Sequence, residues 1–184
     1  MLRTALWLMF FGTSRLAAMG QEKVLTADAI MKEAYQEARQ QHKQVFVIFH
    51  ASWCGWCRKM DTSMNDPVCK KFFDEHFVVR HLVVYESSDK KNLENPGAVE
   101  LLAKYQGADQ GIPYWFIFDA DGKLLADSKR REKGAGPDAP GDNTGCPATA
   151  EEVAYFIDVL RRTTSLNEDQ LKVIATRFRK NENG

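Results

Sequence analysis

The sequence has no surplus of either charge: 25 lysines and arginines stand against 25 aspartates and glutamates. Nothing in that balance calls for a nucleic acid or an anionic membrane as partner. Internal repeats and low-complexity tracts are absent, so the chain reads as one globular unit. Histidine is scarce, and His42, His76 and His81 show no ligand spacing, so neither a metal nor another cofactor is expected. The apolar stretch Ala5 to Phe11 falls well short of the roughly 20 residues that a bilayer-spanning helix needs. No cysteine follows it, which argues against a lipid anchor.

What the first 20 residues do contain is Arg3, that apolar stretch, and then Ala18-Met19-Gly20, with small residues where a signal peptidase reads. Residues 1–20 are therefore expected to be a signal peptide cleaved before Gln21, the alternative being an uncleaved tethering helix. Cleavage removes Arg3 and Arg15 and no acids, leaving 23 cations against 25 acids. The product is expected to be exported, periplasmic or secreted, with no stable membrane anchor. Residues 21–184 suit a single domain. In an oxidising compartment disulfides persist, which gives weight to the four cysteines.

Two of these form the most informative motif, Trp53-Cys54-Gly55-Trp56-Cys57, directly after the apolar run Val45 to Phe49. A strand that delivers two cysteines, three apart, to the start of a helix is a redox device. Residues three apart share a helix face, so the pair can close a small disulfide ring without moving the backbone. Cys54 would face unpaired N–H groups and the positive end of the helix dipole, which favour its thiolate. Cys57, one turn in, is expected to be less exposed and to act second. The spacing also fits half of a zinc site completed by Cys69 and Cys146, or a plain structural disulfide.

A second motif narrows this. Gly111-Ile112-Pro113 opens the β-rich run Tyr114 to Phe118, which ends in Asp119-Ala120-Asp121-Gly122. With W-C-x-x-C after one strand and Ile-Pro before another, residues 24–127 resemble the thioredoxin-like family. The resemblance implies a cis proline at Pro113 set against the cysteine pair, where its backbone holds a substrate peptide in a strand-like pose. It implies a thioredoxin-like α/β fold, a central mixed β-sheet flanked by helices, here with a long Gly/Pro-rich loop and an extra C-terminal helix. It also implies thiol–disulfide exchange on protein substrates, with Cys54 and Cys57 catalytic and a redox partner supplying or accepting electrons. Trp53, Gly55, Trp56, Ile112 and Pro113 are the candidate substrate-binding residues. Trp53 and Trp56 are read as an apolar platform or as packing, and Trp115 as core. One position departs: the family's buried carboxylate six residues before the first cysteine is Ile48 here. His50 is the nearest titratable residue, as a proton acceptor or as a packed side chain. No histidine separates the cysteines, so the potential is expected nearer about −270 mV than about −120 mV, a reductant or isomerase rather than an oxidase. The other reading is a non-catalytic module that keeps the fold and holds a partner on its long loop and apolar surface.

The remaining elements follow from periodicity and caps. Thr26 caps a helix to about His42, strand 45–49 follows, and the cysteine helix breaks near Asn65-Asp66-Pro67. Asp66 and Pro67 start another helix to about Glu75, 77–85 is a strand, and 87–96 is a polar loop. A helix spans about 97–105, and strands 114–118 and 123–127 form a hairpin. The charged run 129–133 reads as a solvated loop or a docking patch. The segment 134–147, with four glycines and three prolines, fits no regular element. Thr149 with Glu152, and Ser165 with Glu168, are capping boxes of two final helices. Cys69 and Cys146 form a possible structural disulfide that would pin the long loop, or else two separate thiols.

Overall fold

The computed structural model describes residues 24–132, 134–136 and 138–183; the expected signal segment, 1–20, lies outside them. Helix α1 (Ala27–Gln41) starts where Thr26 Oγ1 accepts the Ala29 N–H at 3.2 Å. It leads into β1 (Gln44–His50), α2 (Gly55–Met64), α3 (Lys70–His76) and β2 (Phe77–Val83). A 3-10 turn over Ser88–Leu93 interrupts the polar loop before α4 (Ala98–Lys104). The hairpin β3 (Tyr114–Phe118) and β4 (Leu124–Asp127) follows, then the short pair β5 (Lys129–Arg130) and β6 (Asp142–Asn143), and the helices α5 (Ala150–Thr163) and α6 (Glu168–Arg179).

The main sheet runs β2-β1-β3-β4, with β1 parallel to β2 and antiparallel to β3, and is therefore mixed. Side chains alternate faces along a strand, so the unbroken apolar runs of β1 and β3 feed two cores at once. Phe46, Ile48, Trp115 and Ile117 pack under α2, α3, α5 and α6, against Met60, Phe73, Phe156 and Phe178. Val45, Val47, Phe49, Tyr114, Phe116 and Phe118 pack against Ala34 and Ala38 of α1 and Leu102 of α4. Helices on both faces of a sheet bounded in this way are the α/β architecture expected. Among the described residues no helix is long and apolar enough to cross a membrane.

Four local expectations are corrected. Residues 66–69 form a turn, with Asp66 Oδ1 accepting the Val68 N–H and Oδ2 held 2.6 Å from Arg177 Nε, so the helix starts only at Lys70. Helix α6 is capped by Asn167 with Gln170, whereas the Ser165 hydroxyl meets His76 Nε2 at 3.1 Å. The 134–147 segment contains a strand after all, β6, which pairs with β5.

Within the charged run, Lys129 and Arg131 are not simply solvated. Arg131 binds Asp127 in two parallel bonds of 2.8 and 2.7 Å, with the side chains only 14% and 6% exposed. Arg131 Nε also donates to Ala139 O across the loop, and Lys129 Nζ donates to Gln106 O at 3.0 Å. Tyr155 on α5 directs its hydroxyl to the carbonyls of Asp127 and Lys129, both at 2.9 Å. The charges thus satisfy buried backbone and each other, which the local composition alone does not reveal.

Candidate active site

The carboxyl end of β1 hands the chain to Ala51-Ser52-Trp53 and then to α2, whose N-cap is Cys54. Cys54 and Cys57 are joined in a disulfide, with Cα atoms 5.3 Å apart. Cys54 Sγ accepts the Cys57 N–H at 3.1 Å, the bond an N-cap makes to an otherwise orphaned helix donor. A thiolate there would gain the same donor and the dipole. The expected difference in exposure is absent: both cysteines are 2% exposed, packed with Ala51 and Ile112. Position on the helix, and not accessibility, distinguishes them in the oxidised state.

Opposite the disulfide, the Ile112–Pro113 peptide bond is cis, and Ile112 O lies 3.7 Å from Cys54 Sγ. The Gly/Pro-rich segment supports this loop. Asn143 Nδ2 lies within 3.1–3.2 Å of the carbonyls of Gln110, Gly111 and Pro113, and Asn143 Oδ1 accepts the Gly145 N–H and the Ser128 hydroxyl. Gly145 has φ of 56°, and a Cβ there would sit 3.3 Å from Pro113 O. A side chain at that position would be both strained and crowded against the loop.

A third support comes from the segment after β2. Glu86, 4% exposed, accepts the Ser52 N–H at 2.5 Å and the Ser52 hydroxyl at 2.8 Å. The Ser52 N–H above all, against the opposing effect of desolvation, holds the Glu86 carboxyl below the ordinary glutamate range. Tyr85, in the left-handed region with φ of 56°, presents its carbonyl to the Trp53 indole N–H at 2.9 Å. An aromatic residue in that region is uncommon, and here the conformation serves the redox loop. Asn143 and Glu86 were not identified from sequence; each lies some 30 residues or more from the loop atoms it holds, with no local signature.

The other candidates are placed as follows. Trp53 and Trp56 are 57% and 47% exposed, an aromatic pair flanking the cysteines, with Lys59 Nζ 4.2 Å from the Trp56 ring centre. Gly55 lies between them at the first position of α2. Tyr114 and Trp115 are core and do not extend that surface. Ile48 is buried at the position of the missing carboxylate. His50 packs edge-on against His81, whose Nε2 is 2.7 Å from Asp61 Oδ1. Burial, then His81, lowers the His50 pKa and keeps it neutral near pH 7.

Cys69 and Cys146 are separate buried thiols, the second of the two readings, and not the possible bridge. Each has apolar neighbours in the core under α2 and α6, and Asn181 Nδ2 donates toward Cys146 Sγ at 3.4 Å. The four cysteines do not converge, and among the described residues no cluster of His, Cys, Asp and Glu is arranged to hold a metal.

Among solved structures, a disulphide isomerase from Xylella fastidiosa Temecula1 is 25% identical, covering 59% of this chain and 77% of its own, with a TM-score of 0.47. A DsbH oxidoreductase is 23% identical over 84% of this chain and 95% of its own, with a TM-score of 0.42. The oxidised C-terminal domain of DsbD from Neisseria meningitidis is 21% identical over 56% and 84%, with a TM-score of 0.38. No curated protein matches. The profile of the thioredoxin-like family matches residues 26–120, a stretch that carries β1, the cysteine pair and the cis proline. That is just over half of the 184 residues, and the chain belongs to the thioredoxin-like family.

Proposed function

We propose that this protein is an exported thiol–disulfide oxidoreductase, periplasmic or secreted, that reduces or isomerises disulfides of other proteins through Cys54 and Cys57. The observation that carries the reading is the Cys54–Cys57 disulfide at the head of α2, with Cys54 Sγ on the Cys57 N–H. A cysteine at an N-cap is the one whose thiolate the helix stabilises, so Cys54 is the nucleophile. Its thiolate attacks one sulfur of the substrate disulfide: a Cys54–substrate S–S bond forms, the substrate bond breaks, and the leaving sulfur takes a proton. The Cys57 thiolate then attacks Cys54 Sγ, closing the Cys54–Cys57 disulfide and releasing the second substrate thiol. Two electrons pass to the substrate, and a dithiol redox partner restores the reduced pair.

Trp53, Gly55 and Trp56 on one side, and Ile112 and Pro113 on the other, receive the substrate chain, with the loop backbone held by Asn143 available to an extended peptide. Arg58 directs Nη1 to Ser52 O at 3.0 Å, which turns its charge toward the loop backbone. Helix-end stabilisation alone supports a potential nearer about −270 mV than −120 mV, and equilibration against glutathione above about −150 mV would mark an oxidase instead. The test of the cysteine roles is trapping. Cys57→Ser should accumulate covalent complexes with a disulfide substrate such as insulin, and Cys54→Ser should be inactive. Trapping by Cys54→Ser would reverse the roles, and no turnover by the parent protein would favour a binding module.

A further inference from the structure

The residues Gly141-Asp142-Asn143-Thr144-Gly145 lie beyond the family-matched stretch 26–120, yet they reach the loop that opposes the disulfide. Glycine is required at the start of this turn. A Cβ on Gly141 would stand 2.9 Å from the side chains of Lys129 and Arg131 and closer still to Arg130 O, so glycine is what lets β6 lie along β5. At the other end Gly145 gives its carbonyl to the Trp115 indole N–H at 2.9 Å. The Asn143 amide between them has one possible orientation. Its Oδ1 must face the Gly145 N–H, which can only donate, at 3.0 Å, and it also accepts the Ser128 hydroxyl at 2.7 Å. Ser128 in turn accepts the Trp115 N–H at 3.3 Å, which ties the amide to β3. Nδ2 is therefore left for the carbonyls of Gln110, Gly111 and Pro113, at 3.1, 3.2 and 3.1 Å. The remaining carbonyl of that stretch, Ile112 O, is the one turned to the disulfide, 3.7 Å from Cys54 Sγ.

We infer that Asn143 is a positioning residue for substrate binding: by drawing three carbonyls of the 110–113 loop to one amide, it leaves the Ile112 carbonyl facing the site where an extended substrate chain presents its sulfur to Cys54. The inference rests on the thiol–disulfide reading above and adds no covalent step to it. Three carbonyl oxygens brought to one point repel each other, and a donor between them is what makes the convergence favourable. Two amide hydrogens serve the three acceptors, so one hydrogen is shared and no other donor is needed. Without the amide, the carbonyls of Gly111 and Pro113 turn toward water, and the planar peptide group of Ile112, held between them, turns as well. The cysteines are held separately, by the Cys57 N–H on Cys54 Sγ and by Glu86 on Ser52. Loss of Asn143 therefore falls on the binding of a peptide backbone and not on sulfur exchange itself. A disulfide too small to reach the loop is indifferent to it.

The experiment uses the mature protein and two substrates: a peptide whose central cysteine is disulfide-linked to free cysteine, and 2-hydroxyethyl disulfide, which is too small to span the loop. Asn143→Ala should raise KM for the peptide about tenfold with kcat within about twofold, the size expected when a pair of hydrogen bonds is lost from a binding site. For 2-hydroxyethyl disulfide kcat/KM should stay within about twofold. Asn143→Asp keeps an acceptor for Gly145 and Ser128 but turns an anionic oxygen toward the three carbonyls, so the peptide KM should rise further. Ser128→Ala removes the hydroxyl that orients the amide and should raise the peptide KM about threefold, again sparing the small disulfide; it decides the matter where neither Asn143 variant folds. A loss shared equally by both substrates, or no change in either, overturns the inference while leaving the redox reading standing. Failure of the parent protein to reduce the peptide overturns the redox reading, and the role of Asn143 with it.

Discussion

Replacing Arg131 with methionine decides whether the charged run after β4 is solvent-facing decoration or a structural knot. The guanidinium makes two bonds to Asp127 at 2.8 and 2.7 Å and a third to Ala139 O at 3.1 Å. Removing one member of a buried ion pair costs about 3–5 kcal/mol, because the other charge stays buried without its partner. Asp127 would keep the Lys129 N–H at 3.0 Å, which sets the expectation at the lower end, about 3 kcal/mol. For a chain of this size that lowers the melting temperature by about 6–12 °C. Urea unfolding followed by tryptophan fluorescence measures it, and the pairing makes a sharper demand. In Asp127→Asn/Arg131→Met the orphaned charge is gone while an amide oxygen still serves Lys129, so roughly half of the loss should return. A solvated loop predicts a change within about 0.5 kcal/mol for either variant. A single variant inside that margin, or a double variant no more stable than the single, refutes the knot.

Two further outcomes follow from buried titratable groups. The Ser52 N–H holds Glu86 below its unfolded value near 4.3, so its contribution to stability is present above that pH and is lost as pH falls through the depressed folded value. Glu86→Gln should therefore flatten the acid limb of the stability–pH curve, and superimposable limbs would remove Glu86 from the account. Burial pushes the Cys69 thiol up to about 11 and the Cys146 thiol up to about 12, leaving on the order of a thousandth or less as thiolate at pH 8. Alkylation of the reduced native protein should mark Cys54 and Cys57 and spare Cys69 and Cys146 until denaturant is added, and stoichiometric labelling of either buried thiol in native protein would contradict this.

The elements legible in sequence are those whose signal is local. The apolar run 45–49, the cysteine spacing and the Ile-Pro step lie within short windows, and they led to the sheet, the head of α2 and the loop opposite it. The capping box at Thr149 and Glu152 is another such signal. A local signal can also be outcompeted by a distant partner. Ser165-x-x-Glu168 reads as a capping box, but His76, 89 residues earlier, engages Ser165, and Asn167 with Gln170 caps α6 instead. The charges of 129–133 look solvated until Asp127 and the Tyr155 hydroxyl are brought in by folding.

The same division runs through the candidate site. The sulfur atoms are local to one turn of helix, but the groups that set their surroundings are not. Glu86 reaches Ser52 from 34 residues away, and Asn143 reaches Pro113 from 30. The reacting atoms are therefore legible in five consecutive residues, whereas the groups that hold the loops around them are brought in only by folding.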